Sequence, residues 1–263
     1  MARTPALFIG HGTPMNTLND NSYPQAWRAL GRALPEKPRA ILAVSAHWYI
    51  HGTAATAMPM PRTIHDFAGF PQALFDYRYP AEGEPGLAAE VQKLLAPTGV
   101  ALDQGWGLDH GTWSVLAHLF PQADVPVVQL SIDRAQPAAW HFDIGRRLAP
   151  LRDEGVLILG SGNVVHNLGL IDRAAMSGAG GGAAHPWATE FNAAMRSAIA
   201  AGDDASVVDY GKFGEAARLS VPTAEHYLPL LYVLGARARG ESVLFPVDGI
   251  DLAGISMLSV RLG

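Results

Sequence analysis

The sequence predicts an α/β fold: a single domain with a central, mostly parallel or mixed sheet flanked by helices. Three observations carry that expectation. Short apolar, partly β-branched runs at 6–9, 41–46 and 156–159 are too brief for ordinary helices and suit strands buried on both faces. Stretches with apolar residues at helical spacing separate them. Each run also leads into a histidine: His11 after Gly10, His47 directly, and His166 after Gly160-Ser161-Gly162-Asn163-Val164-Val165. In parallel strands these histidines fall at the carboxyl ends, where open α/β sheets build ligand sites.

The elements follow in order. Residues 6–9 form the first strand, and Gly10-His11-Gly12 and Thr13-Pro14-Met15-Asn16 a loop. Residues 23–34 form a helix with Trp27, Leu30 and Leu34 on one face, ended by Pro35 and Pro38. The strand ending at His47 completes a right-handed βαβ unit. Residues 51–85 carry five prolines from Pro59 to Pro85 and little periodicity, so they read as one long loop. Its aromatics, among them Phe67, Phe70 and Phe75, pack over a substrate or over the domain's surface. Helix is expected at 87–95 and a short strand at 100–102. A glycine-rich loop containing His110 leads into a helix from near Thr112 to just before Pro121. Residues 125–132 form a buried strand, and 137–151 a helix with Trp140, Ile144, Leu148 and Leu151 inward. Residues 177–182, SGAGGG, read as a mobile loop. Helix resumes near Pro186, with Trp187, Phe191, Ala194 and Ala198 as its stripe. Pro222 to His226 precede a helix whose inner face is Tyr227, Leu230, Leu231 and Leu234. Residues 242–247 and 256–262 close the chain as antiparallel edge strands.

Composition narrows the chemistry. Without cysteine there is no disulfide, thiolate metal site or thiol nucleophile. A formal net charge of −5 argues against a nucleic-acid partner. No signal-peptide pattern precedes the first strand, and the apolar runs fall short of the ~20 residues of a membrane span, so no membrane partner is expected and the cytoplasm is the simplest location. Ser161 lies outside a G-x-S-x-G elbow, and Gly160-Ser161-Gly162 lacks both the third glycine of a dinucleotide loop and the lysine of a P-loop.

A divalent metal fits better. Neutral imidazole suits Fe(II) and Zn(II), and strands would hold His11 and His47 rigidly. Glu225-His226 at a helix start offers a third ligand, but consecutive helical residues diverge by about 100°. Two histidines with Glu225 would make the facial triad of non-haem Fe(II) oxygenases; three histidines with His226 would suit zinc or iron. Glu225 could instead cap the helix dipole.

Phe8-Ile9-Gly10-His11-Gly12-Thr13-Pro14-Met15, Ser45-Ala46-His47-Trp48, Ile64-His65-Asp66-Phe67, Asp109-His110-Gly111, Ser161-Gly162-Asn163-Val164-Val165-His166-Asn167 and Glu225-His226-Tyr227 form a specific set. Together they resemble the class III extradiol ring-cleavage dioxygenases of the DOPA 4,5-dioxygenase type, related to the catalytic subunit of protocatechuate 4,5-dioxygenase. The resemblance implies one catalytic domain over 1–263 that uses Fe(II), with Zn(II) possible in the isolated protein. Its partners would be O2 and a small catechol such as DOPA, cleaved beside its two hydroxyls to a ring-opened semialdehyde. It assigns His11, His47 and His226 to the metal, with Glu225 or His166 as alternative or additional ligand. It makes His166 the acid/base and His110 a catalytic and substrate-pocket histidine, and gives His65 a substrate-binding role. His51, His118, His141 and His185 gain nothing from it and read as surface or packing residues. The alternative is a zinc-dependent hydrolase or zinc-binding homologue on the same scaffold.

Overall fold

The computed structural model describes residues 3–172 and 183–263; the run 177–182, expected to be a mobile loop, lies outside the described residues. In chain order the strands are β1 (Ala6–Gly10), β2 (Ala40–Ile50), β3 (Ala54–Thr56), β4 (Ala101–Asp103), β5 (Val127–Asp133), β6 (Val156–Gly162), β7 (Val243–Val247), β8 (Ile250–Asp251), β9 (Ile255–Ser256) and β10 (Ser259–Leu262). The helices are α1 (Ser22–Arg32), α2 (Gln72–Asp76), α3 (Pro85–Leu94), α4 (His110–Leu119), α5 (Ala138–Leu148), α6 (Pro186–Ala201), α7 (Asp204–Val208), α8 (Gly214–Ser220) and α9 (Leu228–Gly235).

Eight strands form one mixed sheet in the order β4-β3-β5-β2-β6-β1-β10-β7, and β8 with β9 forms a separate hairpin. The centre, β5-β2-β6-β1, is parallel throughout. Its strands read as continuous apolar runs because both faces are covered. Side chains alternate across the sheet. Leu7, Ile9, Ile41, Ala43, Leu157 and Leu159 point into the core containing Trp27 of α1 and Trp113 of α4. Phe8, Leu42, Val44 and Ile158 point into the opposite core, with Ile144 of α5, Phe191 of α6 and Leu231 of α9. Burying each such large side chain contributes roughly 1.5–3 kcal/mol.

Several expectations need correction. The βαβ unit of β1, α1 and β2 stands, but its two strands straddle β6, which pairs in parallel with both. β2 does not stop at His47. It runs on to Ile50, where Tyr49 and Ile50 pair with Ile132 and Asp133 of β5 after a break in register. The 51–85 segment is not one loop: it contains β3, which joins the sheet, and α2. Of the two closing strands only β7 is an edge, since β10 pairs with both β1 and β7. The buried stripe of α6 runs through Ala188, Phe191, Met195 and Ile199, with Trp187 and Ala194 only partly buried against it.

Candidate metal centre and active site

The alternation that builds the core also builds the site. On β2, Ile41, Ala43, Ser45 and His47 share the face toward α4; on β1 and β6, so do Leu7, Ile9 and then His11, and Leu157, Leu159 and then Ser161. Gly10 pairs with Gly162, and Ser45 with Ser161. His11 and His47 therefore flank the carboxyl end of β6 at one level. Gly111, in the first turn of α4, must be glycine, because a Cβ there would lie 2.8 Å from His47 Cδ2 and collide with the Ser45 hydroxyl.

His226 arrives from the segment leading into α9, which packs on the opposite face. The Gly160-Ser161-Gly162 run explains how. A Cβ at Gly160 would meet the Pro229 carbonyl, and one at Gly162 the His226 carbonyl. The glycines let residues 226–229 lie directly on β6, fixed by Asn163 N–H donating to His226 O at 2.8 Å.

Each of the three imidazoles has one nitrogen occupied. The Ser161 hydroxyl donates to Gly111 O at 2.5 Å, so toward His11 it accepts, and His11 Nδ1–H donates to it at 3.0 Å. His47 Nδ1 lies 3.2 Å from Asp66 Oδ2, and His226 Nδ1–H donates to Glu225 Oε1 at 3.2 Å. That leaves three Nε2 lone pairs, the arrangement metal-binding histidines adopt with their supporting groups. The ligand atoms of His11, His47 and His226 lie within 4.8 Å of one another, and His11 Nε2 and His47 Nε2 are 3.4 Å apart. Two nitrogens bound at ~2.0–2.1 Å to a common ion, at angles from octahedral to tetrahedral, sit about 2.8–3.4 Å apart. The residues present fit a divalent metal.

Around this centre lie the other candidates. Asp66 Oδ1 accepts from the His110 backbone N–H at 2.9 Å and lies 2.9 Å from His110 Nδ1, so one carboxylate joins His47 to His110. Burial pushes the Asp66 carboxyl up, but its bonds with His110 outweigh this and hold it below the usual range. The His110 ring is 3.9 Å from that of His47. The His166 ring stacks on His226 at 3.4 Å. Burial opposes ionisation of Glu225, yet hydrogen bonds from His226 and Thr223 hold it down to about 2. A cavity of about 470 Å³ opens over the centre, lined by His11, His47, His110, His166, His226 and Asp66, with Phe67, Phe70 and several aliphatic side chains.

Burial, reinforced by the neighbouring imidazoles, holds His11 and His47 well below the ordinary histidine value and drives His166 down to about 3; burial also lowers His226 against the opposing pull of Glu225. In metal-free protein these groups bind fewer protons folded than unfolded once pH drops below 6.5. Stability must then fall with pH, by roughly 1.4 kcal/mol per imidazole per pH unit, until each folded pKa is reached. Urea melts of metal-free protein between pH 7 and pH 5 are expected to show this loss; constant stability would contradict it.

Most of the expected residues come together: His11, His47, His110, His166 and His226 all line the cavity. Glu225 sits against His226 Nδ1, while a second grouping of ligand atoms places it with His166 and His226. His65 is one layer back. Its Nε2 bonds Tyr77 O at 3.0 Å and its ring packs on Phe67 and Trp113. His118 and His141 are packed against Asn16 O and the Tyr232 hydroxyl, His185 bonds Leu170 O, and His51 is exposed.

Two supporting groups escaped the sequence reading. Asp66 stood beside His65 in the motif, and only the fold shows that it is the carboxylate that faces inward. Asp109 caps α4 through Thr112 N–H and accepts from Gln129 and Ser45; burial, with Asp66 nearby, raises its carboxyl to about 6. Asp66→Asn is expected to weaken metal binding or turnover about 10–100-fold. Metal titration and steady-state rates check it, and wild-type values in both would show the bridge to be idle.

Comparison with known proteins follows the same lines. Residues 5–244 match the family described as the catalytic LigB subunit of aromatic ring-opening dioxygenase. The "4,5-DOPA dioxygenase extradiol" of Escherichia coli (strain K12) is 52% identical over 265 residues, covering 99% of this chain and 95% of that one. The protein of the same name from Beta vulgaris is 38% identical, covering 88% and 85%. A crystal structure of an uncharacterized protein from Escherichia coli K12 superposes with a TM-score of 0.86 at 48% identity, covering 99% of this chain and all of that one.

Proposed function

The chain belongs to the family of the catalytic LigB subunit of aromatic ring-opening dioxygenase, and from that premise we propose that it cleaves a catechol beside its two hydroxyls at a non-haem Fe(II) held by His11, His47 and His226. It is an enzyme, and membership in the family implies a catalytic metal, O2 and an aromatic diphenol. DOPA, named in the curated relatives, is the first substrate to try. We take residues 1–263 as one catalytic domain and the cytoplasm as its place of work; among the described residues no helix is long and apolar enough to cross a membrane.

The observation that supports the ligand set best is the trio of Nε2 atoms left free once each Nδ1 has its partner. Glu225, with its carboxylate on His226 Nδ1 and Thr223, acts as the support of a ligand. The zinc hydrolase is not favoured, because the matched family opens aromatic rings.

Bound there, Fe(II) supplies Lewis acidity and a path for electrons between the diphenol and O2. The chain supplies placement and proton transfer. The His166 imidazole, stacked on His226 and lining the cavity, is placed to take a proton from a catechol hydroxyl and return it later. His110, with Nδ1 beside Asp66, has Nε2 left to hydrogen-bond the substrate oxygens. Phe67, Phe70 and Ile255 give the cavity an apolar wall.

Anaerobic loading with Fe(II), followed by O2 and DOPA or another catechol, is expected to give a yellow ring-opened semialdehyde with matching O2 uptake. No colour and no uptake across a panel of catechols would contradict the proposal. Metal analysis of the active preparation separates iron from zinc.

A further inference from the structure

His11 stands one residue past β1, at the head of a loop, so its strand alone does not fix it. Its N–H still follows the sheet, donating to Gly162 O at 3.1 Å. Its carbonyl accepts instead from a side chain, Asn16 Nδ2, at 3.1 Å. Asn16 is 1% exposed, and each of its polar groups is bonded. Its N–H donates to Thr13 O at 3.0 Å, its Oδ1 accepts from Asn21 Nδ2 at 3.2 Å, and its carbonyl accepts from His118 Nε2–H at 2.9 Å.

Those partners belong to two helices. Asn21 caps α1, and His118 lies in the last turn of α4, far along the chain from Asn16. Arg28 of α1 sets the His118 tautomer. A guanidinium can only donate, and it donates to His118 Nδ1 at 3.0 Å, which leaves the proton on Nε2. Arg28 is held in turn by Asp20. The helices touch at this level, since a Cβ on Gly31 of α1 would lie 2.2 Å from Leu119 O of α4. On the other side of the loop, a Cβ on Gly12 would lie 2.6 Å from Met257 Sδ. Neither Asn16 nor His118 is among the residues lining the cavity. The chain of bonds from Arg28 through His118 and Asn16 ends on the carbonyl of His11. Buried networks whose members are all satisfied specify one arrangement, and a metal site needs its ligands held to within about 0.5 Å.

We propose that Asn16 and His118 are positioning residues for the metal: acting through the His11 carbonyl, they fix where the His11 imidazole stands, so that the end of α4 remote from His110 governs a centre it does not touch. This rests on the reading above that His11 holds the ion.

The test titrates metal-free protein with Co(II), whose visible d–d bands report affinity and coordination geometry, beside urea melts of the same proteins. His118→Leu keeps the bulk and removes the donor. It should weaken Co(II) binding about 10–100-fold, the usual effect of losing a group that orients a ligand, and shift the bands. His118→Gln, whose amide N–H can still donate to Asn16 O, should recover the wild-type affinity to within about threefold. Asn16→Asp sets an oxygen against the His11 carbonyl and should also cost at least about tenfold. Arg28→Met removes only the outer, partly exposed link, should fold even where the buried variants do not, and should weaken Co(II) measurably but by less than about tenfold. A merely structural role predicts lower urea midpoints with unchanged Co(II) binding by the folded protein. That result would overturn the proposal, as would a His118→Gln variant as impaired as His118→Leu. If the buried variants fail to fold, wild-type affinity in Arg28→Met overturns it. His11→Ala separates the two levels: Co(II) bound as tightly as in the wild type would overturn the ligand set itself, whereas loss of the ion there with full binding in the Asn16 and His118 variants would overturn only the positioning.

Discussion

His226→Ala is expected to leave a folded protein that no longer holds a stoichiometric metal ion and has lost at least about a thousandfold in ring opening. His226 contributes one of three nitrogens that meet beyond the end of β6, and its ring is 5.4 Å from that of His11 and 5.2 Å from that of His47. A metal's electrostatic contribution to a transition state is several kcal/mol, and each 1.36 kcal/mol is about tenfold in rate. The fold should survive because α9 is anchored by Leu230, Leu231 and Leu234, none of which needs the imidazole. Metal content after gel filtration, circular dichroism and O2 uptake read the three parts separately. Full metal content in the variant would remove His226 from the ligand set.

His166→Ala should behave differently. The metal is retained, and turnover falls by about 10²–10⁴, the usual contribution of a positioned acid/base. His166 stacks flat on His226 and lines the cavity, so it can reach substrate without being needed to hold the ion. The acid limb of the kcat profile should also change, which loss of packing alone would not produce. If the variant instead loses its metal, His166 belongs among the ligands with Glu225 and His226, a grouping the geometry also offers.

How far the sequence could be read depends on the range of the interaction. Strand–histidine junctions are local, and they located His11 and His47, because an apolar run fixes alternation and alternation fixes the face. The two serines before the histidines also carried a signal that went unused. Ser45 and Ser161 stand where the pattern calls for an apolar core residue, and each bonds the opening turn of α4 or its cap. Asp66 was less legible, since its partners lie 19 residues back in β2 and 44 residues ahead in α4. The strand hidden in 51–85 was lost for a similar reason. Ala54–Thr56 is too short to show a period and owes its shape to pairing with β4 and β5. The glycines of 160–162 looked like a phosphate loop that failed; their reason is the backbone of 226–229 lying on the strand. The left-handed backbone of Leu252 (φ 49°) was illegible, because no local rule puts leucine in such a turn.

Three imidazoles, from just past β1, from β2 and from the approach to α9, are expected to share one divalent ion. X-ray absorption at the iron edge of anaerobically loaded wild-type protein, beside the His11→Ala, His47→Ala and His226→Ala variants, tests it most directly. Three imidazole ligands are expected in the wild type, and loss of ordered iron in every variant. Iron held with the same nitrogen count in any one of the three would contradict it.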